Sequence, residues 1–336
     1  MRATNWVGDA VMSLPALRAL HERYPGAEIA ILAKPWVADL YRRESFCHRV
    51  IPYTPKTLAE KWNASKALAR EGFDCAVLLQ NAFEAAAIAF GAGIPERIGY
   101  ARDGRGFLLT RPIAVPRPGE IPRHERFYYL EMLHRAGILD VLPDCDRIRL
   151  QGAEEARASG LARFKQLGVG ETVVGISPGA AYGSAKRWNP EYFAQTARRV
   201  ARSLDASVAL FGSASERELC ASIAEHITAE NFGVDAYNLA GETTLAEFID
   251  LAAACRLFLT NDSGGMHIAS ALGVPTVAVF GSTDDTTTGP TGPLARVVRE
   301  QVECSPCLRR ECPIDHRCMV RLLPDRVADA ALELVK

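Results

Sequence analysis

Four short stretches of this chain combine glycine, a carboxylate or lysine, and the start of a helical pattern: TNWVGD (4–9), SPGAAYGSAKRW (177–188), FGSASERE (211–218) and TNDSGGMHIASALG (260–273). Backbone N–H groups at Gly264 and Gly265, with no side chain in the way, suit a phosphate at a helix start. Lys186 or Arg187 would supply the counter-charge, and Glu216 could accept hydrogen bonds from ribose hydroxyls. Together these residues point to a nucleotide diphosphate site in the second half. Each has a plainer reading as well. A Gly-Gly turn is often only a turn, a lone lysine a solvated charge, Glu216 a helix-start carboxylate favoured by the dipole, and His267 a satisfied core histidine. Asp9, in a Gly-Asp turn, is equally suited to capping a helix.

The elements around these stretches place them alike. Apolar runs at residues 27–33, 50–51, 74–80, 172–179, 207–213, 256–262 and 275–282 read as strands, and amphipathic stretches between them read as helices. ERIGY (96–100) is expected as an edge strand and the Pro-rich stretch 111–124 as a loop. Such alternation predicts an α/β protein with parallel sheets covered by helices on both faces. Ligands in such folds sit beyond the carboxyl ends of strands, where all four stretches fall.

At 336 residues two domains are expected, with the boundary near 140–152, where the periodicity breaks. Residues 1–150 carry 21 Lys+Arg against 17 Asp+Glu, a net of +4, and the remainder a net of −5. The basic half suits an anionic partner, although scatter of surface charge explains the counts as well. Lys56, Lys61, Lys66, Arg97, Arg102, Arg105, Arg123 and Arg126 are its candidates, of which two or three are expected to matter. No stretch reaches the ~20 apolar residues of a membrane span, so the chain is expected in the cytoplasm. Neither G-x-G-x-x-G after a strand nor G-x-x-x-x-G-K-[ST] occurs, which weighs against dinucleotide oxidoreductases and P-loop ATPases.

Nine cysteines in such a chain are expected as thiols or ligands. Four cluster in CSPCLRRECPIDHRC as Cys304, Cys307, Cys312 and Cys318, beside His316. Local clustering resembles a metal site, but the spacing follows no usual zinc pattern. A structural thiol cluster is the expectation, with a bound metal as the alternative.

NWVGDAVMSLPALRAL, SPGAAYGSAKRWNPEYF, LAGETTLAEFIDLAAACRLFLTNDSGGMHIASALGVPTVAVFGSTD and the terminal CSPCLRRECPIDHRCM resemble the ADP-heptose:lipopolysaccharide heptosyltransferases of glycosyltransferase family 9. The similarity runs over nearly the whole chain. It implies a GT-B type fold, two Rossmann-like doubly wound domains facing a cleft. Residues 1–150 would bind acceptor, 151–320 would bind ADP-L-glycero-D-manno-heptose, and a helix in 321–336 would pack back toward the first domain. The implied reaction inverts the anomeric centre without a cofactor or a catalytic metal. The spelling A-Y-G-x-A-K-R-W and the Cys-rich tail favour the member that adds the second heptose, with a heptosylated Kdo–lipid A as acceptor and the inner membrane surface nearby. By motif, Asp9 would be the general base. Lys186 and the Asp262–His267 loop, with Ser263, Gly264 and Gly265, would hold diphosphate and sugar, and Glu216 the ribose. Gly8, Ala181 and Tyr182 complete the implied substrate-binding set. A sibling enzyme acting on another heptose, or a nucleotide-sugar binding protein without catalysis, remains open.

The family pattern also places a buried strand before TNWVGD, where this sequence has only Met1, Arg2 and Ala3. The expectation is an upstream start, with the support of Asp9 missing.

Overall fold

The computed structural model describes residues 1–229 and 233–336. The chain divides into two compact units, Met1–Cys145 and Asp146–Lys336.

In the first unit, five parallel strands form two ladders: β1 (Ala30–Ala33) with β2 (Arg49–Pro52), and β3 (Cys75–Val77) with β4 (Glu96–Tyr100) and β5 (Arg111–Ile113). Residues 1–3 lie between the ladders. Arg2 pairs in parallel with both Leu32 and Leu78. Arg2 N donates to Val77 O (2.9 Å), Ala3 N to Leu32 O (3.0 Å), Leu32 N to Met1 O (2.8 Å) and Leu79 N to Arg2 O (3.1 Å). These bonds link the ladders in the order β2–β1–(1–3)–β3–β4–β5. The turn that carries Asp9 is therefore held from both sides by three residues, contrary to the expectation that its support would be missing. On the far side of Met1 a cavity of about 350 Å³ opens between β1 and β3, with Ala30, Val77, Leu68, Ile88 and Ile98 in its wall.

β4 is internal and not the expected edge, because the stretch read as a loop supplies β5. Pro112 fits there since an edge strand can do without one N–H. The helix expected after TNWVGD breaks in two, Val7–Met12 and Leu14–Arg23. Pro15 lacks the N–H that a continuous helix would use, so the first helix stops at Met12 and a second starts with Pro15 in its first turn.

The second unit carries one six-stranded parallel sheet: β6 (Val173–Ser177), β7 (Ser207–Leu210), β8 (Ala236–Asn238), β9 (Leu257–Asn261), β10 (Thr276–Phe280) and β11 (Ala295–Arg299), in the order β11–β10–β9–β6–β7–β8. Numbered along the unit, that is 3-2-1-4-5-6, the doubly wound dinucleotide-fold order. Its switch point, where successive connections leave in opposite directions, lies between β6 and β9. β8 and β11 have no counterpart among the expected strands. Both are half-buried edges, so their sequences lack a continuous apolar run. The core under the sheet joins Val174, Ile176, Leu210, Leu259 and Val279 to Phe193 and Val200. The C-terminal helix Pro324–Leu334 buries Val327, Ala328 and Ala331 in that same core.

Candidate active site

In the first unit, Asp9 is the third residue of the helix Val7–Met12, whose capping position is Trp6. Asp9 is thus not the cap, and its half-buried carboxylate lies in the first turn, where the helix dipole favours negative charge. The turn before it is braced twice. Arg2 Nη2 donates to Asn5 Oδ1 (3.0 Å) and Trp36 Nε1 to Asn5 O (2.8 Å). Gly8, next to Asp9, is the second residue of the same helix. Glu125, the first residue of the helix Glu125–Arg135, lies within reach of the Asp9 charge. Burial pushes the Glu125 carboxyl up, and the Asp9 charge adds to the rise.

Other polar groups gather past the carboxyl ends of these strands. Asn81 Nδ2 donates to Tyr128 OH (3.1 Å), Arg105 Nη2 to Asn81 Oδ1 (3.2 Å), and Arg102 Nη1 approaches Tyr128 OH (3.5 Å). Arg2 and Lys34 lie over the Tyr53 ring, at 4.8 and 4.7 Å, and the Tyr53 hydroxyl donates to Glu84 (2.8 Å), which also pairs with Lys61. Burial holds the Lys34 ammonium below its usual range, and the neighbouring Arg2, Lys61 and Lys56 charges lower it further. Sequence reasoning missed Arg2 and Lys34. The signal available was that each follows or lies in a short apolar strand. Of its candidates, Arg97 and the fully buried Arg105 serve backbone carbonyls, Leu108 O (2.7 Å) for Arg97 and Tyr100 O (2.9 Å) for Arg105. Lys61 joins the group around Tyr53, whereas Lys66 stacks on Trp62.

In the second unit the switch point carries the predicted residues. Lys186 Nζ meets Asp262 Oδ2 at 2.5 Å, with side chains only 13% and 5% exposed. Thr283 Oγ1 donates to the same oxygen (2.6 Å). Asn261 holds the loop between β6 and Trp188 at both ends. Its Nδ2 donates to Pro178 O (2.6 Å), and Trp188 N donates to its Oδ1 (3.1 Å). Asn261 and Thr283 were not singled out from sequence, although Asn261 closes the buried strand β9 and Thr283 lies just past β10. The helix Gly264–Ala271 starts immediately after Ser263, whose hydroxyl pairs with Thr260 Oγ1 (3.0 Å). Gly264 and Gly265 therefore present the first backbone N–H groups of that helix beside the Lys186–Asp262 pair. His267 is buried within the same helix.

Tyr182 lies between two cations, Lys186 at 4.7 Å and Arg310 at 5.2 Å from its ring centre. Its hydroxyl donates to Leu308 O (2.8 Å). Ala181, beside it, is exposed. The Cys-rich loop holds this segment further, with Ala185 N donating to Arg310 O (2.9 Å) and His316 Nε2 against Ala185 O (3.0 Å). A Cβ at Gly183 would stand 2.2 Å from Arg310 O, so only glycine permits that approach. Burial lifts the Cys318 thiol to about 11, and the sulfurs of Cys304, Cys307 and Cys312 add to the rise.

Glu216 does what its plainer reading expected. Its Oε2 accepts from Ser213 N (2.8 Å) and Ser213 Oγ (2.9 Å), closing a capping box. Its other oxygen lies where a Cβ on Gly179 would be, 1.9 Å away, so the carboxylate also borders the loop after β6.

The glycosyltransferase family 9 (heptosyltransferase) profile matches residues 62–317. The chain belongs to this family. It is a glycosyltransferase, and its doubly wound parallel-sheet units are of the GT-B type. It is 33% identical to lipopolysaccharide heptosyltransferase 2 of Escherichia coli K12 over 305 residues, covering 88% of this chain and 86% of that protein. Lipooligosaccharide heptosyltransferase 2 of Campylobacter jejuni serotype O:6 is 27% identical over 332 residues, 98% of this chain and 96% of the relative. Among solved structures, E. coli ADP-heptose lps heptosyltransferase II superposes with a TM-score of 0.83 at 30% identity, covering 99% of this chain and 97% of that one. Among the described residues of this heptosyltransferase, no helix is long and apolar enough to cross a membrane.

Proposed function

We propose that the chain moves L-glycero-D-manno-heptose from ADP-heptose to the first heptose of the lipopolysaccharide inner core, as a cytoplasmic enzyme working at the inner membrane surface. The observation that carries this reading is the Lys186–Asp262 pair beside the Gly264–Gly265 helix start at the switch point of the second unit. The likeness to relatives named heptosyltransferase 2 supports the choice of acceptor.

The donor diphosphate takes the helix-start N–H groups and the Lys186 ammonium. As the bond to the anomeric carbon breaks, negative charge grows on the departing ADP. Fixed donors at that point stabilise it electrostatically, without a divalent ion. Tyr182 and Asp262 hold Lys186 in place, Ser263 and His267 belong to the same cradle, and Glu216 reaches the ribose. On the acceptor side, Asp9 takes the proton of the attacking hydroxyl as it displaces ADP, which inverts the anomeric centre in one step. Arg2, Lys34 and Arg102 meet the phosphate and carboxylate groups of a heptosylated Kdo–lipid A.

The test is a mass-spectrometric assay with defined acceptors bearing zero, one or two heptoses. Addition of one heptose to the singly heptosylated acceptor, with release of one ADP, is expected. Turnover only on an acceptor with none or two would assign the enzyme to a different step. Donor binding without turnover on any acceptor would leave a binding protein.

A further inference from the structure

Cys304, Cys307, Cys312 and Cys318 line a single cavity of about 170 Å³ in the second unit, together with Ser282 and His316. All four are free thiols. Ser282 forms the floor. Its carbonyl accepts from Cys307 N (3.1 Å) and Leu308 N (2.7 Å), which seats the CSPC turn on it. Its hydroxyl is a second, independent sign. Only 1% of Ser282 is exposed, and its Oγ has no hydrogen-bond partner among the described residues. Buried hydroxyls are nearly always paired, and an unpaired one facing a cavity marks a group that the cavity takes up. Thiolate sulfur accepts such a bond and is at the same time the ligand of soft metal ions.

We propose that these four cysteines form a structural tetrathiolate site for a thiophilic metal ion of the zinc class, with the Ser282 hydroxyl donating to one of its sulfurs. On binding, four S–H bonds break, four sulfur–metal bonds form and four protons pass to solvent. With a divalent ion the site carries a charge of −2, and Arg309, also in the cavity wall, offsets part of it. Among the described residues no three potential ligands are already gathered around one point. Zinc holds thiolate sulfur at about 2.3 Å, so binding would draw the four side chains together across the cavity they line. The site takes no part in the transfer chemistry. It fixes the loop whose Leu308 and Arg310 carbonyls hold Tyr182 and Ala185, and so steadies Lys186. This last consequence rests on the donor-site reading above.

The full chain, purified without chelators and dialysed against excess Zn²⁺ followed by metal-free buffer, should retain one metal ion per chain by mass spectrometry. Co²⁺ should give thiolate charge-transfer and tetrahedral d–d bands. Cys307→Ser, at the exposed rim, should lose the ion while its circular dichroism stays that of the parent, and Cys47→Ser should keep it. Only trace metal in the parent, Co²⁺ bands unchanged in Cys307→Ser, or cysteines recovered as disulfides would each overturn the site. Metal-free Cys307→Ser should bind ADP several-fold more weakly. Parent-like ADP binding there would overturn the coupling to Lys186. If the parent holds metal but binds no ADP, the donor-site reading has failed and the metal site stands.

Discussion

Lys186 and Asp262 come from different strand ends, 76 residues apart by number, and meet at 2.5 Å where the connections of β6 and β9 diverge. The pair keeps an ammonium nearly out of water without leaving it alone, and Thr283 shares the same carboxylate oxygen. A diphosphate arriving at the helix start finds the lysine already placed, so little is lost in ordering it. Lys186→Ala should therefore lower kcat by roughly 10²–10³-fold, the usual cost of removing one fixed donor at developing charge. Asp262→Ala should mainly raise the KM for ADP-heptose. The two effects should not add in the double variant, since each removes the same contact. Steady-state ADP release measures all three, and additive losses would sink the idea that the pair acts as one.

Asp9 stands on a helix start whose turn is tied down by Arg2 and Trp36. A positioned base is worth about 10²–10⁴-fold. Asp9→Ala and Asp9→Asn should both lose that much turnover while binding ADP-heptose as the parent does, measured by calorimetry beside a turnover assay. An active Asp9→Ala enzyme would remove Asp9 from the role of base.

Glu125 gives the first unit a titration signature. Burial and Asp9 both raise its carboxyl above the range it has in the unfolded chain. A raised acid favours the folded state while protonated, and this contribution fades as pH climbs through the folded value. Glu125→Gln should thus raise the melting temperature at pH 8 relative to the parent, with the gap closing toward pH 4. In Asp9→Asn the gap should be smaller, because one of its two causes is gone. Thermal melts across that range decide it, and a gap that widens in acid would show the sign to be wrong.

How far the sequence carried this picture depends on what each segment buries. The core strands of the second unit, β6, β7, β9 and β10, are buried along nearly their whole length, so their apolar runs are legible one by one. β8 and β11 pair on one side only and keep polar residues, and β5 begins Arg-Pro. Their strand character comes from the neighbour they join, which no local pattern records. The site behaves the same way. Lys186, Gly264 and Asp262 announce themselves by type and position. Asn261 looks like one more polar residue in a turn, and only the folded loop shows it bonding both Pro178 and Trp188. Glu216 reads as a helix-start carboxylate, and its bonds to Ser213 and its approach to Gly179 appear only in the fold.

Asn261 is where that unseen layer is most exposed to test. It is fully buried, and its amide satisfies one backbone acceptor and one backbone donor that no strand or helix pairs. Asn261→Ala would leave both buried and unpaired, at about 1–3 kcal/mol each. For a unit of this size that corresponds to a fall in melting temperature of roughly 5–15 °C. The loop it releases carries Tyr182 and Lys186, so the KM for ADP-heptose should rise as well. Asn261→Asp should fare no better. It keeps the acceptor for Trp188 N but loses the donor to Pro178 O, and it buries a second carboxylate next to Asp262 with only one lysine to share. Calorimetry with donor titration checks both variants. A melting temperature equal to that of the parent in Asn261→Ala would mean that the loop is held by its contacts to Leu308, Arg310 and His316 alone.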